Sequence, residues 1–147
     1  HHFGNKKTLF TAVLAQIQSE LGSYVEKNAL EAHDSWEQLV EGCVAFVRFA
    51  TLTENKRILL LDGPNVVEWK EWCRQDEANS FFHLREQLDI LSKEGKLISI
   101  DLDMAAHMIS GALNELSIFL AEKEEEAEVR KAVRSLLRGF RNYGKKG

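Results

Sequence analysis

The chain has 147 residues, 44% of them apolar and 29% charged, which suits one domain with its own core and is too hydrophobic for intrinsic disorder. A formal net charge of −4 argues against a broad basic face for nucleic acid, because phosphate contacts dominate such affinity; any reader of nucleic acid has its main contacts elsewhere. Cys43 and Cys73 have no CxxC partner and no secretory signal ahead of them, which excludes a disulfide framework and points to the reducing cytoplasm.

One proline, Pro64, and nine glycines leave most of the chain free of helix breakers, so the expected class is all-α. From Lys6 onward Leu9, Phe10, Val13, Leu14, Ile17, Leu21, Tyr24 and Val25 recur at three- and four-residue steps, the spacing of a one-faced helix running to about Leu30 with Asn5 as its N-cap. A second helix begins after Asp34 or Ser35 and buries Trp36, Leu39, Val40, Cys43, Val44, Phe46, Val47 and Phe49, a face wide enough for a central helix.

A short helical segment from Thr53 to Leu61 stops at Asp62-Gly63-Pro64, the sharpest break in the chain. Val66, Val67, Trp69, Trp72, Cys73, Phe81, Phe82, Leu84, Leu88 and Leu91 then fit one long helix, or two with a kink near Asn79-Ser80, ended by Gly95. Asp101 caps a helix carrying Met104, Met108, Ile109, Ala112, Leu113, Leu116, Phe119 and Leu120. His107, Asn114 and Glu115 interrupt this stretch, so no membrane span is expected. The last helix opens in acid (Glu124, Glu125, Glu126, Glu128) and closes in base (Arg134, Arg138, Arg141), matching the helix dipole at both ends. The expectation is an antiparallel bundle of about six helices.

The opening residues His1-His2-Phe3-Gly4-Asn5-Lys6-Lys7-Thr8-Leu9-Phe10 resemble the segment that ends the DNA-binding domain in the TetR family of bacterial transcriptional regulators. There a recognition helix runs through an aromatic step into a turn, a lysine and a leucine that starts the next helix; His2, Phe3, Lys6 and Leu9 match. Terminal histidines also occur as tag remnants, but Phe3 to Leu9 continue the pattern with no linker. Leu59 to Pro64 followed by Trp69 and Trp72 is similar to one subgroup of these regulators.

The resemblance implies a helix-turn-helix domain ahead of His1, residues 1–5 as its remnant, and residues 6–147 as a ligand-binding and dimerisation domain. It further implies a homodimer built from the last two helices, two from each subunit. His2 and Lys6 would contact operator phosphates, which positions a reader without specifying sequence. Phe46, Phe49, Trp69, Trp72 and Phe82 would line an apolar effector pocket between helices, with His83, His107 and Asn114 as its orienting polar groups. The effector would be a small hydrophobic or aromatic molecule, and the protein most simply a repressor. The alternative is a helical interaction or ligand-binding module that never sees DNA.

Enzymatic constellations are missing. No histidine among His33, His83 and His107 has a carboxylate three residues before it, as paired-iron bundles require. Both cysteines sit in apolar stripes and read as small hydrophobes. There is no phosphate-cradling glycine loop, GxSxG or zinc-protease motif, and neither a metal nor a cofactor is expected.

Overall fold

A computed structural model of the chain describes residues 2–52, 55, 80–121 and 128–144, the side chains of residues 2–5 excepted. Five helices follow one another there: α1 (His2–Leu30), α2 (Ser35–Ala50), α3 (Phe82–Lys93), α4 (Leu102–Ala121) and α5 (Val129–Arg138). The all-α bundle is as expected, with five rather than about six helices among the described residues. The segment from Thr53 to Leu61, Asn55 excepted, its Asp62-Gly63-Pro64 stop, and Glu124 to Glu126 lie outside them.

α1 begins earlier than its apolar spacing implied. The backbone is helical from His2, so Asn5 lies inside the helix and is not its N-cap. No proline stands in the way, and the one glycine there costs a helix only about 1 kcal/mol. Leu14, Gln18, Leu21 and Val25 form the buried stripe, whereas Leu9 and Leu30 are each 67% exposed: the helix outruns the core at both ends. Gln18 sits in mid-stripe with its Oε1 buried and, among the described residues, without a hydrogen-bond partner; a buried oxygen that no water reaches costs on the order of 1–3 kcal/mol.

Asp34 caps α2, its carboxylate accepting from the backbone N–H of Trp36 at 3.0 Å and of Glu37 at 3.1 Å. Those hydrogen bonds, the Glu37 N–H foremost, hold the Asp34 carboxyl below its ordinary value. Eleven of the sixteen α2 residues are buried, because α2 packs against each of the other four helices. Gly42 brings α1 close: a Cβ there would meet Val25 Cγ1 at 3.6 Å and Ala29 Cβ at 3.7 Å, ordinary van der Waals contact. Gly42→Ala is therefore expected to stabilise the fold by about 0.5–1 kcal/mol through helix propensity, read as a higher urea midpoint. A lower midpoint would mean that α1 lies closer than described.

Ser80 and Phe81 form a π-type turn ahead of α3; whether one long helix or two kinked ones precede it falls on residues outside those described. α3 ends on Gly95, whose φ of +74° is the left-handed position a glycine supplies. The N–H of Lys96 reaches Leu91 O at 2.9 Å and that of Gly95 reaches Ser92 O at 3.1 Å, which satisfies the last carbonyls of the helix. Asp101 then caps α4 as expected, accepting from Met104 N–H at 3.0 Å.

α4 has two unlike faces. Ala105, Ala106, Ile109, Leu113 and Ser117 are buried against α2 and α3. Met104, Met108 and Phe119 are 64%, 51% and 55% exposed. α4 is long and apolar enough to cross a bilayer by length and composition alone, which for a single helix is weak evidence of a span, and the expectation that it is not one stands. Its buried face is that of a core helix, and its apolar excess lies on the other side.

α5 is clamped to α2 by two forked ion pairs. Arg134 donates to Glu37 at 2.7 and 3.0 Å, and Arg130 to Glu41 at 2.6 and 3.0 Å. The pairing order, 37 with 134 and 41 with 130, makes the two helices antiparallel. Val133 and Leu137 are buried beneath the clamp. Beyond α5, Ile98 N–H bonds Phe140 O at 2.9 Å and Asn142 N–H bonds Lys96 O at 2.8 Å, and Arg141 lies over the Trp36 ring at 4.9 Å.

The guanidinium hydrogen bonds from Arg134 and Arg130 hold the Glu37 and Glu41 carboxyls below their ordinary 4.5. A carboxylate whose folded-state value is depressed stabilises the fold fully above its unfolded value, near 4.5 here, and that contribution is lost as pH falls through the lower folded value. The urea midpoint is expected to drop from about pH 6 to about pH 3, and to drop less in a Glu37→Gln, Glu41→Gln double variant. These pairs are part-exposed, so each is worth about 1 kcal/mol at neutral pH. An identical acid response in the variant would remove the clamp from the account.

Candidate functional site

The four helices α1 to α4 meet around a cavity of about 220 Å³. The C-terminal turn of α1 contributes Val25, Glu26, Ala29 and Leu30, and α2 contributes Gln38, Leu39, Gly42, Cys43 and Phe46. α3 and the turn before it supply the opposite wall, from Ser80 and Phe81 to Ile90, and α4 adds Ser110 and Leu113. The space exists because small residues, Gly42, Ala29 and Ser110, stand where larger side chains would close it.

The polar groups around it are arranged unevenly. Gln38 donates its amide to Ala32 O at 3.0 Å and Gln87 donates to Ser35 O at 2.9 Å, so the first ties α2 to the α1–α2 loop and the second ties α3 to the first turn of α2. Burial pushes the Cys43 thiol up to about 12; it is a neutral thiol in an apolar wall and not a nucleophile. Phe81 is backed by the His107 ring on α4, centroids 4.8 Å apart. No group of three metal-ligating side chains occurs among the described residues.

Of the residues expected to bind an effector, Phe46 and His83 line this cavity. Phe49 is buried away from it against Tyr24, ring centroids 5.4 Å apart. Phe82 is half-exposed, and its ring meets the His83 ring edge-on. His107 reaches the cavity only through Phe81, and Asn114 is half-buried on α4 outside the lining. Trp69 and Trp72 lie outside the described residues. Lys6 is exposed near the start of α1, and the His2 side chain lies outside what is described.

Glu26, Ala29, Gln38, Glu86 and Gln87 were not singled out in the sequence. Large aromatic residues drew attention there, whereas the cavity is made by what is small. Gly42, a glycine inside the widely apolar α2 segment, was the available signal, since such a position marks a close approach.

Residues 36–140 match the family model described as tetracyclin repressor-like, C-terminal domain. The fold is similar to that of a TetR-family transcriptional regulator from Pectobacterium atrosepticum, with 29% identity and a TM-score of 0.78 over 99% of this chain and 76% of that one. It is similar also to the TetR family transcriptional regulator PfmR from Thermus thermophilus, with 21% identity and a TM-score of 0.70 over 92% of this chain and 75% of that one. No curated protein matches the chain.

Proposed function

Because the chain belongs to the TetR family of transcriptional regulators, with a tetracyclin repressor-like C-terminal domain, we propose that it is the effector-sensing and dimerising core of a cytoplasmic, bacterial repressor. In this reading residues 6–147 sense and dimerise, residues 1–5 are the end of a helix-turn-helix domain, and His2 and Lys6 touch operator phosphates. The boundary between the two parts falls inside α1.

The observation that carries the reading is the course of α1. It is one helix of 29 residues, about 43 Å long at 1.5 Å per residue. Val25, Glu26, Ala29 and Leu30 at its far end wall the cavity, while its first turns project past the core. A small molecule that binds one packing of the four helices better than another shifts the population of α1 positions by its difference in affinity. Two recognition helices must sit roughly 34–36 Å apart to enter successive major grooves, so a displaced α1 lowers operator affinity.

Dimerisation in this reading uses the outer face of α4, where Met104, Met108 and Phe119 are exposed, together with the exposed face of α5 that carries the small Ala132 and Ser135. The function is tested on protein carrying the DNA-binding domain. Compounds that raise the melting temperature in a panel of hydrophobic and aromatic molecules are expected to weaken operator binding measured by fluorescence anisotropy. A compound that binds the cavity and leaves operator affinity unchanged would overturn the coupling.

A further inference from the structure

Among the described lining residues of the cavity the carboxylates Glu26 and Glu86 are the groups of fixed charge, beside one imidazole, His83. Glu26 of α1 and Glu86 of α3 both line it and are exposed to solvent, which puts one carboxylate on the α1 wall and one on the α3 wall, both on the solvent side. Neither has an ion-pair or hydrogen-bond partner among the described residues. No lysine or arginine occurs among the described lining residues, although the chain holds 19 of them. The interior is apolar, with Val25, Leu39, Leu84 and Leu113, and it presents two aromatic rings, Phe46 and Phe81.

Each feature selects against an anion and for a cation. Among the described lining residues a carboxylate ligand would meet two like charges and no lysine or arginine, with the imidazole of His83 as the one nitrogen group able to carry a positive charge. An ammonium group gains Coulomb attraction from both glutamates, and aromatic faces attract cations through their quadrupole. The cavity volume suits a body of one or two rings.

We infer that the cavity takes a small organic cation, an apolar ring body bearing a protonated amine, with its charge held on the solvent side by Glu26 and Glu86. This deepens the reading of the cavity as the effector site and rests on it.

The test is calorimetric titration at low ionic strength with three probes of one skeleton: 1-naphthylmethylamine, 1-naphthalenemethanol and 1-naphthoic acid. The amine is expected to bind about tenfold more tightly than the alcohol, and the acid more weakly than either. In a Glu26→Gln, Glu86→Gln double variant, the amine is expected to fall to the level of the alcohol while the alcohol is unchanged. Alcohol or acid binding as tightly as the amine, or a preference for the amine that survives in the variant, overturns the inference and leaves the effector site standing. Silence from all three probes overturns the effector site itself.

Discussion

If the proposed dimer forms through α4, replacing Met108 and Phe119 together with aspartate is expected to leave a monomer of 16.8 kDa. The two side chains are 51% and 55% exposed and stand eleven residues apart on α4. At 3.6 residues per turn that is three turns, so they share one face, with Met104 one turn further along. Apolar area on this scale, left in water, marks an interaction surface. Burying a carboxylate at its centre without a partner costs several kcal/mol, so the dissociation constant is expected to rise about a hundredfold or more. Light scattering at micromolar concentration reads the mass. Because both sites are on the surface, the monomer is expected to keep its helical circular dichroism. A wild-type protein that already runs as a monomer would sink the dimer, whatever the variant does.

Leu88→Ala is the substitution expected to cost the core most for its size. α3 buries only Leu88 and Leu91 fully, both at 0% exposure, so these two side chains supply most of its apolar seating against α2 and α4. Truncating a fully buried leucine removes its transfer free energy and leaves a hole, about 3 kcal/mol together. In a chain of this size that lowers the melting temperature by roughly 10 °C. α3 also forms a wall of the cavity, so ligand affinity is expected to fall with stability. Ile90→Ala provides the contrast: it lies on the same helix, lines the cavity, and is 44% exposed. It is expected to change stability by no more than about 0.5 kcal/mol while still weakening binding. Equal losses in the two variants, read from urea midpoints, would show that α3 is not held as described.

Much of this architecture could be read from residue order, and the particular elements show why. Asp34 and Asp101 cap helices and Gly95 ends one, as their types and positions foretold, because capping is settled within four residues. The wide apolar face of α2 announced a central helix, and every residue expected on it is buried. Membership of the TetR family was legible in ten residues at the start of the chain. Asn5 shows the limit of local signals: a residue that can cap a helix does not do so when the helix has no reason to stop.

What residue order could not reveal is how helices meet. Glu37 and Arg134 are 97 residues apart and Glu41 and Arg130 are 89 apart, and nothing in either segment names the other. Only packing sets that register, as only packing turned Phe49 toward Tyr24 and left Phe46 facing the cavity. The cavity is further out of reach, since it is volume that no residue fills, bounded by Gly42 and Ala29 as much as by any aromatic ring. Secondary structure followed from short-range periodicity and capping chemistry; the site followed from the three-dimensional fit of four helices, because an empty space belongs to the assembly and to none of its parts.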